Sequence, residues 1–87
     1  MRRRLIYHGR VQGVGFRYTV RSISRQHEVL GWVKNLADGT VELVVEAGAA
    51  EMAGFLDDVA RRFDGQVTSI DDKTPPGEPL SGFRIRH

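Results

Sequence analysis

Nine residues, Gly9 to Arg17 (GRVQGVGFR), bring together three glycines, two arginines and the start of a helical pattern. Gly13 and Gly15 allow successive backbone N–H groups to turn toward one point, the arrangement of an anion-binding nest. A helix beginning at Phe16 would add unpaired N–H donors and a partial positive charge. Acidic residues are favoured in a first helical turn, yet none occurs between Phe16 and His27, and Arg17 and Arg21 stand there instead. That placement makes sense if an anion sits at the helix start and Arg17 completes its cradle, because a guanidinium fork matches two phosphate oxygens at once. A glycine turn followed by a solvent-facing arginine is the alternative, and the loop alone does not decide between them. Two familiar phosphate loops are excluded. A P-loop requires Lys-Ser/Thr after its last glycine, where Phe16-Arg17 follows Gly15, and a dinucleotide loop requires glycine at the position of Tyr18.

The elements that must position this loop follow from periodicity. Arg3–Gly9 alternates Leu5 and Tyr7 against Arg4, Ile6 and His8, as a strand does. Phe16, Val20, Ile23 and His27 form one helical stripe. Val29–Asn35 is a second strand, Asp38-Gly39 a turn, and Thr40–Ala47 a third strand with Val41, Leu43 and Val45 on one face. Met52, Phe55, Leu56, Val59 and Phe63 mark a second helix, with Asp57–Arg61 and Asp58–Arg62 as i, i+4 pairs on its wet side and Asp64-Gly65 at its end. Gln66–Asp71 is a weaker strand, Lys73–Pro79 a loop and Gly82–Arg86 a short last strand. The order β-α-β-β-α-β, with that extra strand, describes an α+β sandwich of two layers with an antiparallel sheet covered on one face by two helices. The first two strands are expected to be parallel and separated by a third. Their C-terminal ends then share one sheet edge, which makes Asn35 a neighbour of the glycine loop. An asparagine at a strand end is more often a turn residue, so Asn35 alone carries little weight.

Composition sets outer limits. Eighty-seven residues form a single domain, 1–87, with one thin core. No cysteine is present, which excludes disulfides and thiolate metal sites, and the three histidines lack metal-ligand spacing. The apolar run behind Met1–Arg4 is too short for a secretory leader and no segment is long enough to span a bilayer, so a cytoplasmic, monomeric protein is expected. Residues 1–35 hold eight Lys/Arg against Glu28 alone, whereas residues 36–87 hold five basic and ten acidic residues. That asymmetry is either a positive field for an anionic partner or a set of solvated charges on opposite faces.

Taken together, GRVQGVGFR and the GWVKN…DGTVE stretch (Gly31–Asn35, Asp38–Glu42) resemble the two signatures of the acylphosphatase family, and the element order and the closing GFRIR agree along nearly the whole chain. The resemblance implies a ferredoxin-like sandwich that hydrolyses the carboxyl–phosphate bond of acyl phosphates, without cofactor or metal. It assigns phosphate binding to Arg17, orientation of water to Asn35, and the backbone cradle to Gln12, Gly13, Val14, Gly15 and Phe16. The leaving carboxylate, whose acid has a pKa of about 4, needs no general acid. Positioning and charge stabilisation then suffice for phosphoryl transfer.

Two other classes compete with this reading. An RNA-binding sheet would carry aromatics on its third strand, where Glu42 and Glu46 stand instead, which argues against nucleic acid. A regulatory domain would bind phosphate at the loop without turnover. His8 and His27 read as structural, Trp32 as packing, Tyr18 as either a substrate contact or surface packing, and Arg2–Arg4 as a solvated basic edge.

Overall fold

Side-chain alternation along the strands decides the two layers. The computed structural model describes all 87 residues: β1 (Arg2–Gly9), α1 (Phe16–Ser24), β2 (Leu30–Asn35), β3 (Val41–Glu46), α2 (Ala49–Arg62), β4 (Val67–Lys73) and β5 (Phe83–Arg86). Leu5, Tyr7, Val33, Val41, Leu43 and Val45 share one buried cluster with Phe16 and Val20 of α1 and Met52, Phe55 and Val59 of α2. The strands run β4-β1-β3-β2-β5 across the sheet, so β1 and β2 are separated by β3 and, both being antiparallel to it, run the same way. The sheet is mixed rather than wholly antiparallel, because β5 pairs parallel to β2. The long connection from β4 carries the chain across to the far sheet edge, and β5 starts there from the end at which β2 starts.

The opposite face of the sheet is held by charge. Arg2 pairs with Glu46 directly opposite it at 2.9 Å, and Arg4 reaches Glu42 at 2.6 Å. On the helix-covered face, Arg3 meets Asp72 at 2.7 Å. The Arg2–Arg4 run is therefore an inter-strand clasp, not a solvated edge. The charge asymmetry of the sequence resolves in part into basic residues of the first half paired with acidic residues of the second.

Two local expectations change. Helix α1 ends at Ser24, and His27 follows it in a turn closed by N–H bonds from Gln26 to Ile23 O and from His27 to Ser24 O. His27 instead clamps the two helices, its ring nitrogens contacting Glu51 at 3.2 Å and Asp58 at 2.7 Å. Asp58 is thereby drawn to His27 and Arg61, and only the Asp57–Arg61 pair of the two i, i+4 expectations forms.

Gly31 lets β2 lie flat between its neighbours. A Cβ there would collide with the Val44 carbonyl of β3, while the Gly31 N–H donates to Gly82 O at 2.9 Å. Gly31→Ala is expected to cost about 3 kcal/mol of stability, measured by urea unfolding. Hydrogen bonds from His27 and then Arg61 hold the Asp58 carboxyl below its usual range. A lowered carboxyl stabilises above its unfolded pKa of about 3.9, and that contribution disappears as pH falls through the lower folded value. Asp58→Asn should therefore reduce the urea midpoint at pH 7, with the gap to wild type closing as pH falls below the unfolded carboxyl value of about 3.9.

Candidate active site

The loop from β1 to α1 is fixed at both ends by apolar anchors. Val11 and Phe16 are almost fully buried, and the Phe16 ring packs between Tyr7 and Phe63 at centroid distances of 5.2 and 4.3 Å. Gly9 leaves the strand at φ +119, with its α-carbon so close to Gln66 O and Thr68 N that no side chain fits. Arg10 N–H then closes on Gln66 O at 2.8 Å. Between the anchors, Gly13 and Gly15 both adopt φ +77 with open space around them, so conformation and not crowding requires glycine.

This geometry leaves the backbone N–H groups from Gln12 to Tyr18 without an acceptor in the chain; the first helical bond is Thr19 N–H to Gly15 O at 3.0 Å. No side chain caps α1, and its first turn holds no acid. The Gln12 side chain turns away to donate to Leu36 O at 2.8 Å and Thr40 O at 2.9 Å. It thereby ties the loop to the β2–β3 turn, which Asp38 stiffens by accepting from the Thr40 N–H and hydroxyl at 3.0 and 2.6 Å.

The shared edge of β1 and β2 brings the expected residues together. Gly13, Gly15, Phe16, Arg17 and Asn35 line one cavity of about 120 Å³, with Val11 and Tyr18. Gln12 and Val14 lie outside its lining, Val14 packed against the core. The Asn35 carboxamide makes no hydrogen bond within the chain and is half-buried at the end of its strand. Tyr18 is 59% exposed at the cavity mouth. Arg17 Nη1 lies 3.3 Å from His87 Nδ1, a contact that spacing gave no sign of because it joins positions seventy apart. No lining residue is acidic. A larger cavity, of about 310 Å³, opens on the other face of the sheet and contains none of these residues.

A two-layer α+β fold with a strand–glycine loop–helix turn, a guanidinium that meets no carboxylate and a run of unpaired amides is equipped to accept an oxyanion. Its relatives narrow this further. The family model Acylphosphatase matches residues 3–85. An acylphosphatase of Thermococcus kodakarensis is 41% identical over 98% of this chain and 94% of its own length. The crystal structure of the Bacillus subtilis acylphosphatase superposes with a TM-score of 0.86 at 35% identity, covering 99% of this chain and 98% of that one. T. kodakarensis HypF contains a similar unit, with a TM-score of 0.84 at 31% identity over the whole of this chain but 12% of HypF. The chain belongs to the acylphosphatase family, and it is a hydrolase.

Gln12→Leu removes both donors that tie the loop to the turn. The expected loss is about 1–3 kcal/mol in urea unfolding, accompanied by weaker binding of inorganic phosphate in calorimetric titration.

Proposed function

We propose that the chain hydrolyses acyl phosphates with the phosphate held by the amides of Gln12–Phe16 and by Arg17, and the attacking water oriented by Asn35. The observation that carries this reading is the single cavity lined by both Arg17 and Asn35, set against a run of unpaired N–H groups, in a chain of the acylphosphatase family. The left-handed backbone at Gly13 and Gly15 turns those donors to a common side, where a tetrahedral dianion accepts them. The first turn of α1 adds its partial positive charge. Arg17 supplies the full charge in a fork that fits two phosphate oxygens.

Chemistry then asks little more of the protein. Water oxygen bonds to phosphorus as the bond from phosphorus to the bridging oxygen breaks, and that electron pair leaves with the carboxylate. The leaving group, with an acid pKa of about 4, departs without protonation. The water proton passes to a non-bridging phosphate oxygen, the product being inorganic phosphate. Asn35, with donor and acceptor both free, holds the water in line with the leaving group. Charge on the phosphoryl oxygens is met by protein donors already in place, so the reading requires neither metal nor cofactor. Tyr18, at the cavity mouth, flanks the acyl group. The reading takes the enzyme to be a cytoplasmic monomer that does not act on nucleic acid.

With benzoyl phosphate as substrate and no added metal, Arg17→Ala is expected to raise KM and lower kcat together. Asn35→Ala should lower kcat by roughly a hundredfold, on the order of 3 kcal/mol, with KM little changed. Wild-type turnover in Arg17→Ala, or an Asn35→Ala defect confined to KM, would overturn the assignment. Phosphate binding by the wild type without hydrolysis would instead mark a regulatory anion site.

A further inference from the structure

The connection from β4 to β5 forms a strap across the open face of the sheet. Arg2 Nη1 donates to the carbonyls of Pro76 and Glu78, each at 2.6 Å. The Glu78 carboxylate accepts from Trp32 Nε1 at 3.1 Å and from Arg86 Nη1 at 3.1 Å. The Arg86 guanidinium lies over the indole, 4.5 Å from its centroid. Fastened at these points, the strap and the strands line an open cavity of about 310 Å³, with Trp32 and Arg84 on neighbouring strands and Pro79, Leu80 and Ser81 on the strap.

Charge in this cavity is unevenly satisfied. Glu78 meets Arg86 and the indole N–H, whereas Arg84 forms no salt bridge or side-chain hydrogen bond. Two guanidiniums and one carboxylate leave a single uncompensated positive charge, with the Ser81 hydroxyl in the same lining. Pro79 and Leu80 supply apolar wall. The volume lies at the lower end of small-ligand cavities, which run from about 300 to 1,000 Å³. A polyanion is disfavoured, since Glu78 stands in the cavity and Glu42 and Glu46 lie on the same sheet face.

We propose that this cavity is a second ligand site, taking a small organic oxyanion: one carboxylate or phosphate head on the Arg84 fork, with a short apolar body against Pro79 and Leu80. Geometry supports a discrete ligand of one anionic group, because a second negative head would meet Glu78. The site shares β2 with the first cavity, since Asn35 follows Trp32 on that strand, and Arg86 precedes His87, which contacts Arg17. It does not depend on the hydrolase reading.

Trp32 is the only tryptophan in the chain, so its indole N–H resonance reports directly on the cavity. Phenyl phosphate and benzoate are titrated separately into labelled protein, with inorganic phosphate as a head without a body and phenol as a body without a head. A saturable shift of the indole resonance is expected with one or both of the organic anions, and which of them produces it identifies the head. Arg17→Gln should retain the shift, and Arg84→Gln should weaken the apparent affinity at least tenfold. Arg84→Lys, which keeps the charge and loses the fork, should fall between. No saturable shift with either anion overturns the proposal, as does a shift that Arg17→Gln abolishes or Arg84→Gln leaves intact. Equal affinity for inorganic phosphate or for phenol overturns the two-part ligand.

Discussion

Backbone donors from Gln12 to Tyr18 find no acceptor within the chain, and a guanidinium stands among them at the positive end of a helix. Each feature is unfavourable by itself: helix starts favour acids, and exposed amides in a left-handed turn give up the bonds that regular structure would supply. The loop cannot relax out of this state. Val11 on one side and Phe16 on the other are buried in the same core, and the Gln12 carboxamide fixes what lies between to the neighbouring turn. The oxyanion of the proposed function would relieve both penalties at once. Donors held in place before the anion arrives need little reorganisation as charge shifts during reaction, which is where preorganised electrostatics contributes most.

Strand direction does the rest of the positioning. Because β1, β2 and β5 all run the same way, their C-terminal ends meet at one sheet edge. The first delivers the glycine loop, the second Asn35 and the third His87. An antiparallel β5 would have carried residue 87 to the far edge, out of reach of Arg17. The parallel pairing of this four-residue strand therefore matters to the site as well as to the sheet, and the strap from β4 is what allows it.

What the sequence displays of this arrangement is the part encoded by short spacing. Period-two alternation in Arg3–Gly9 and Thr40–Ala47, the stripe of Met52, Phe55 and Val59, and the glycines at 13 and 15 each report a local preference, and each lies where expected. The position of Asn35 beside the loop follows from one topological step, the parallel relation of the first two strands. Features that depend on which distant groups meet were not legible. His27 fits the helical stripe by spacing, yet it sits in the turn after α1, where two carboxylates of α2 reach it. Spacing draws attention to the Gln12 backbone amide, whereas its side chain, free in sequence terms to face water, donates to two carbonyls of the hairpin. The direction of β5 follows from the path of the 74–82 connection, whose prolines and glycines specify irregularity without a destination.

The division of the arginines shows how one small domain separates structure from chemistry. Arg2, Arg3, Arg4 and Arg86 each face a carboxylate contributed by another segment, and they fasten strands and strap. Exposed pairs of this kind contribute little individually, but Arg2–Glu46 and Arg4–Glu42 are partly buried, and removing one partner would leave the other poorly solvated. Arg17 and Arg84 have no such partner, and each lines a cavity. An arginine already matched by a carboxylate has most of its attraction for an anion cancelled, whereas an unmatched one lining a concave surface keeps it. The eight basic residues among the first thirty-five thus divide: Arg2, Arg3 and Arg4 are neutralised across the sheet, and Arg17, left without a carboxylate at the helix start, is the charge that the proposed function assigns to a phosphoryl group.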